Sequence, residues 1–148
     1  MQPTQSVDEI EFEFERYGDG QPLLLLHGGM APTEYWNPVI AQFEEYGAVV
    51  PQRPGFGTRL DPPAETNADE VLDREVRYVR ALADAVDGDP ILVGHSYGAL
   101  TAIEAATDTP VEAVIAYEPA VLPAEYRGDA DLADRMASSY GTGSARKR

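Results

Sequence analysis

The chain has 148 residues, 26 Asp and Glu against 11 Lys and Arg, a formal charge of −15, and no cysteine. That length supports one sizeable hydrophobic core and not two. The charge argues against nucleic acid or an anionic membrane as partner, and the lack of thiols removes disulfides, thiolate zinc sites and a cysteine nucleophile.

The first fifteen residues, MQPTQSVDEIEFEFE, have no basic start, no apolar core and no small-residue cleavage site, so a cytoplasmic location without a secretory signal is expected. Residues 9–17 alternate strictly, with Ile10, Phe12 and Phe14 on one face and Glu11, Glu13 and Glu15 on the other, which predicts a half-buried strand. Gly18-Asp19-Gly20 makes a turn. The apolar run from Leu23 to Leu26 is far too short to span a bilayer, but it suits a strand buried on both faces that closes in His27-Gly28-Gly29.

Trp36, Val39, Ile40 and Phe43 recur at spacings of three and four, which predicts an amphipathic helix over residues 33–46, ended by Gly47. Residues 48–51 read as a short strand, and Arg53-Pro54-Gly55-Phe56-Gly57 as a rigid turn. A second helix follows Thr66 or Asn67 as cap, with Asp69 and Glu70 in its first turn. Leu72, Val76, Val79, Ala83 and Val86 then repeat up to Gly88.

A strand at 91–93, a helix at 97–107 and a strand at 111–117 complete an alternating series. The fold class is therefore α/β: a mostly parallel sheet with helices on both faces and right-handed crossovers. The core is expected over residues 1–120. Residues 121–140 read as the start of a cap or a linker, and 141–148 as a disordered tail. That tail holds three of the eleven bases, including the only lysine, and is foreign in character to so acidic a chain. Elsewhere the acids are spread through every polar segment, a distribution like that of proteins from concentrated salt, where carboxylates hold water and self-repulsion is screened.

Between strand and helix lies Gly94-His95-Ser96-Tyr97-Gly98. Glycines two residues either side of a serine are what a sharp strand-to-helix elbow needs, because β-carbons there would collide with the neighbouring elements. A surface turn is the plainer reading of a lone G-x-S-x-G, and position decides between the two. A serine hydroxyl also needs a general base to take its proton.

Four features stand in the right order: His27-Gly28-Gly29-Met30 after a buried strand, Arg53-Pro54-Gly55-Phe56-Gly57 after the next, the Gly94–Gly98 elbow, and Tyr117-Glu118-Pro119 closing a later strand. In these the chain resembles the N-terminal half of the α/β-hydrolase superfamily, over roughly residues 8–120. The resemblance implies Ser96 as nucleophile and the backbone N–H groups of Gly29 and Tyr97 as an oxyanion hole. It also implies that His27, Gly28, Met30 and His95 border a small-molecule substrate, with no cofactor and no metal.

The superfamily's triad runs Ser, then Asp or Glu, then His along the chain, and no histidine follows Ser96. His27 and His95 match positions where the family's histidine is structural, and Glu118 is a weak match for the acid. The chain thus resembles a truncated member without the C-terminal strands, poorly active or inactive, whose strand 111–117 would be an apolar edge open to self-association. A non-catalytic domain that binds a small molecule or a partner on the same fold is the alternative. A nucleotide-binding domain fails on motifs, since Leu60 stands at the third glycine position after Gly55 and Gly57 and no Gly-Lys-Ser/Thr occurs.

Overall fold

Four consecutive leucines cannot all face one side of a strand, because side chains alternate along it. The strand that carries them must be covered on both faces, and in the computed structural model it is. The structure describes residues 4–7, 10–29, 31, 33–52 and 68–121. Leu23 and Leu25 pack into one cluster with Trp36, Ala48 and Val50, while Leu24 and Leu26 pack into another with Val49, Val79, Leu82, Leu92, Ala102 and Ala105.

Six strands form one sheet: β1 (Thr4–Val7), β2 (Ile10–Tyr17), β3 (Gln21–Leu26), β4 (Tyr46–Pro51), β5 (Ile91–His95) and β6 (Ala113–Tyr117), in the order β1-β2-β4-β3-β5-β6. The four strands from β3 to β6 are parallel, and β1 and β2 run antiparallel at one edge. Leu24 stands level with Val49 on one neighbour and Leu92 on the other, so the apolar rows of β3, β4 and β5 align across the centre of the sheet. The mostly parallel α/β architecture expected from the sequence is the one found.

Two long helices cover the Leu24 face. In α2 (Ala68–Asp84) the buried Val76, Val79, Leu82 and Ala83 point to the sheet, and in α3 (Tyr97–Ala105) Ala99, Ala102 and Ala105 are fully buried. Alanines on that stripe let α3 lie close to β5, beside which Ser96 sits. The other face is covered differently from expectation. The single helix predicted over residues 33–46 is broken into a 3₁₀ turn (Thr33–Trp36), one turn of α-helix, α1 (Asn37–Ile40), and a second 3₁₀ turn (Ala41–Phe43); Gly47 lies inside β4 and caps nothing. Pro38 explains the break. It has no N–H with which a helix from Thr33 could continue, and it is tolerated only in the first turn, where it is found.

β1 is a strand the sequence did not announce. It has no alternating apolar row and is held by backbone pairing of Thr4 with Glu13 through Val7 with Ile10. The turn at residues 53–57, Met30, and the cap, linker and tail at residues 122–148 lie outside the described residues. Among the described residues no helix is long and apolar enough to cross a membrane.

Candidate active site

β5 ends at His95 and α3 begins at Tyr97, so a single residue, Ser96, turns strand into helix. It does so at φ 55° and ψ −116°, a conformation that L-residues avoid and that costs on the order of 1–3 kcal/mol. Its surroundings enforce it. The Ser96 N–H donates to the Tyr117 carbonyl at 3.0 Å, and the Ser96 carbonyl accepts from the N–H groups of Ala99, Leu100 and Ala120, each at 3.1 Å.

The flanking glycines are there for space. A β-carbon on Gly94 would lie 2.5 Å from the Ala99 Cα, and one on Gly98 would lie 2.3 Å from the Leu26 carbonyl oxygen. Both contacts are with backbone, which cannot swing aside. The elbow predicted from sequence is therefore the elbow observed, and it stands at the C-terminal end of the parallel strands.

The loop after β3 lies against it. A β-carbon on Gly28 would come 3.4 Å from the Ser96 Cβ and 3.4 Å from His95 Nδ1, and one on Gly29 would be 3.8 Å from the Tyr97 Cβ. Gly28, Gly29, His95, Ser96 and Tyr97 are thus brought into one place, and Ser96 sits at the start of a nine-residue helix whose N-terminal end favours negative charge.

Both histidines are held in place by their surroundings. His27 is fully buried, and its ring, protonated at Nδ1, donates to the Gly28 carbonyl at 2.9 Å, which holds the loop in shape. The His95 ring is stacked between Tyr35 (centroids 5.1 Å apart, planes at 4°) and Tyr117 (5.5 Å, 30°). Its Nδ1 has no hydrogen-bond partner among the described residues, so Glu118 is not paired with it there. Glu118 itself is exposed, just past β6, and shares with Ser96 the distinction of a positive φ, +46°.

Tyr35 and Ala120 are neighbours that sequence reasoning missed, and Tyr117 enters that reasoning only as the close of a strand. The one available signal was the pairing of β5 with β6, which sets His95 level with Tyr117; it needs the strand order and cannot be read from spacing alone. A polar depression lined by Arg16, Asp19, Gly47 and Asp87 lies at the other end of the sheet, by the starts of β3, β4 and β5, and is separate from this site. No group of three or more metal-ligating side chains occurs among the described residues.

Comparison with known proteins bears on the same elements. The profile of the alpha/beta hydrolase family matches residues 23–147. A pimeloyl-[acyl-carrier protein] methyl ester esterase of Legionella pneumophila (strain Corby) is 29% identical over 102 residues, 68% of this chain and 38% of the relative. A 2-hydroxy-6-oxo-6-(2'-aminophenyl)hexa-2,4-dienoic acid hydrolase of Metapseudomonas resinovorans is 30% identical over 102 residues, 64% of this chain and 33% of the relative. Among solved structures, a proline iminopeptidase-related protein from Thermus thermophilus superposes with a TM-score of 0.68 at 26% identity, covering 80% of this chain and 44% of that one. The chain spans about a third of the length of the two curated relatives it matches.

Proposed function

The chain belongs to the alpha/beta hydrolase family, and on that premise we propose that it is a serine hydrolase of esterase type whose nucleophile is Ser96. The observation that carries this is the backbone of Ser96, held at φ 55° and ψ −116° at the head of α3, with Gly28 against it and Gly29 against Tyr97. A fold gains nothing structurally from straining a serine there, and strain of this kind belongs to sites that must present a group. The ester chemistry named for the Legionella relative supports the choice of substrate class.

In this reading the Ser96 oxygen bonds to the carbonyl carbon of a small ester, and the carbonyl electron pair moves onto its oxygen. The N–H groups of Gly29 and Tyr97 receive that oxyanion, each such donor being worth about 10²–10³ in rate. The negative oxygen then reforms the carbonyl and expels the alcohol, and water releases the acyl group from Ser96. Gly28 and His95 border the substrate, whereas His27, fully buried, holds the loop behind them and does not reach it. The proton that the Ser96 hydroxyl gives up passes by way of a general base to the departing alkoxide, which leaves as the alcohol.

An alkyl fluorophosphonate reporter tests the reading. It should label the chain at Ser96 and leave Ser96→Ala unmarked. The second reading is a domain that binds a small molecule without turnover, and a parent chain as dark as Ser96→Ala would select it.

A further inference from the structure

The geometry points to Tyr35 and Tyr117 as positioning residues that act through the His95 ring, setting the distance between the Gly28-Gly29 loop and Ser96; the inference rests on the reading of Ser96 as nucleophile. His95 and Tyr117 are register partners on β5 and β6, so their side chains leave the sheet on the same face. The second ring of the stack, Tyr35, comes from the turn that follows the loop. Three rings from three elements form one ladder, with centroid separations of 5.1 and 5.5 Å, in the range that offset aromatic pairs prefer.

Each end of the ladder is tied to one half of the site. Tyr35 is followed by Trp36, which is buried among Leu23, Leu25, Ala48 and Val50 and meets the Tyr35 ring edge-on at 5.1 Å. The Ala31 N–H donates to the Gly28 carbonyl at 3.3 Å. At the other end, the Tyr117 carbonyl accepts the Ser96 N–H.

Core burial does not account for these tyrosines, since Tyr35 is 39% and Tyr117 61% exposed. Nor does hydrogen bonding account for the placement of the imidazole, whose Nδ1 has no such partner among the described residues. Ring stacking joins the turn at Tyr35 to the elbow on this face, beside the direct packing of Gly28 on His95 and Ser96. The consequence is kinetic, because a displacement of about 1 Å between reacting groups can cost up to about 100-fold in rate.

The test uses the full chain with Tyr35→Leu, Tyr35→Phe and, as an independent variant, Tyr117→Leu. Two quantities are read: the rate of Ser96 modification by an alkyl fluorophosphonate, and the NMR position of the His95 C2 proton, identified by its loss in His95→Gln. Tyr35→Leu should slow modification by about tenfold while the circular-dichroism spectrum keeps its form, and Tyr35→Phe should restore it to within about twofold. The His95 proton should move in both Leu variants, as ring-current shielding is lost, and stay in place in Tyr35→Phe. Modification of Tyr35→Leu at the parent rate, or of Tyr35→Phe as slowly as Tyr35→Leu, overturns the inference. If the parent itself is not labelled, the nucleophile reading is what fails. The ladder is then decided by the His95 proton alone, and an unmoved resonance in the Leu variants overturns it.

Discussion

The backbone N–H of Ser96 donates to the carbonyl of Tyr117 at 3.0 Å, and the loop just beyond returns the bond, the Ala120 N–H donating to the Ser96 carbonyl at 3.1 Å. The residue at the elbow is thus gripped from the end of β6 on both of its polar backbone groups. Each such bond contributes about 0.5–1.5 kcal/mol, which together offset a conformation costing about 1–3 kcal/mol.

Removing one of them should loosen the elbow without touching the side chain of Ser96. Ala120→Pro has no N–H to give, so unfolding in urea should show a loss of about 1–2 kcal/mol, with slower fluorophosphonate labelling. Ala120→Gly keeps the donor and should label near the parent rate. Equal labelling by all three chains would mean that the β6 loop does not hold the elbow.

The space around two glycines separates crowding from backbone strain. A β-carbon on Gly98 would lie 2.3 Å from the Leu26 carbonyl oxygen and 2.6 Å from that of His27, whereas at Gly88, with φ +88°, nothing lies within 4 Å. Gly98→Ala should cost about 3 kcal/mol or more, because backbone on two elements must move. Gly88→Ala should cost only about 1–2 kcal/mol, the left-handed conformation alone. Urea midpoints of the two variants check the order, and a reversed order would refute it.

What could be read without the structure follows from period and packing. The Leu23–Leu26 run forces two-sided burial, and the apolar repeat from Leu72 to Ala83 places one face of α2, so both elements were legible. Gly94 and Gly98 announced the elbow because only glycine fits there. Arg74 and Glu75 were not legible as interior residues, yet both are buried on α2 with their charges 3.5 Å apart. Sequence alone assigns charged side chains to solvent, and only tertiary packing can reverse that. Likewise Pro38, permissible inside a first turn, was absorbed into a longer predicted helix that it in fact divides. The Tyr35–His95–Tyr117 stack depends on which strands are neighbours, which no local pattern encodes.

Tyr17 gives the chain a measurable alkaline response. Its hydroxyl donates to the Glu15 carboxylate, and that bond, then burial, then the carboxylate's charge push its pKa up to about 12. The native state therefore keeps a proton that the unfolded chain loses near pH 10. The contribution to stability is complete below about pH 10 and is lost as pH rises toward 12. Stability of the parent should fall more steeply than that of Tyr17→Phe over this window, measured as urea midpoints at several pH values. Parallel slopes would show that Tyr17 is not the group responsible.

The acids spread over the polar surface, at a net −15, set a second condition. Carboxylates that repel one another across the fold are screened in molar salt, where the Debye length is about 3 Å, and much less so at 0.01 M, where it is about 30 Å. The far-UV circular-dichroism spectrum should accordingly lose structure on dialysis from molar salt into dilute buffer. An unchanged spectrum would remove the case for adaptation to salt.

Among the described residues β6 stands at the end of the sheet order, with Ile115 55% and Tyr117 61% exposed. Its residues, Ala113-Val114-Ile115-Ala116-Tyr117, include no charge and no proline, the usual guards of an open edge. We propose a second copy as the partner of this edge. Antiparallel pairing centred on Ile115 sets the small Ala113 against the large Tyr117 and the branched Val114 against Ala116, so the two strands match in size. The same register sets Glu112 against Glu118, so the pairing should weaken in dilute buffer and strengthen in molar salt. Sedimentation velocity over a range of concentrations in molar salt should reveal the self-association, and Ile115→Lys should abolish it. Because Ile115 is more than half exposed, that change should shift stability by no more than about 0.5 kcal/mol, so loss of association could not be blamed on unfolding. A chain that sediments as a monomer at every concentration in molar salt would refute the proposal and leave β6 an edge that its flanking glutamates suffice to protect.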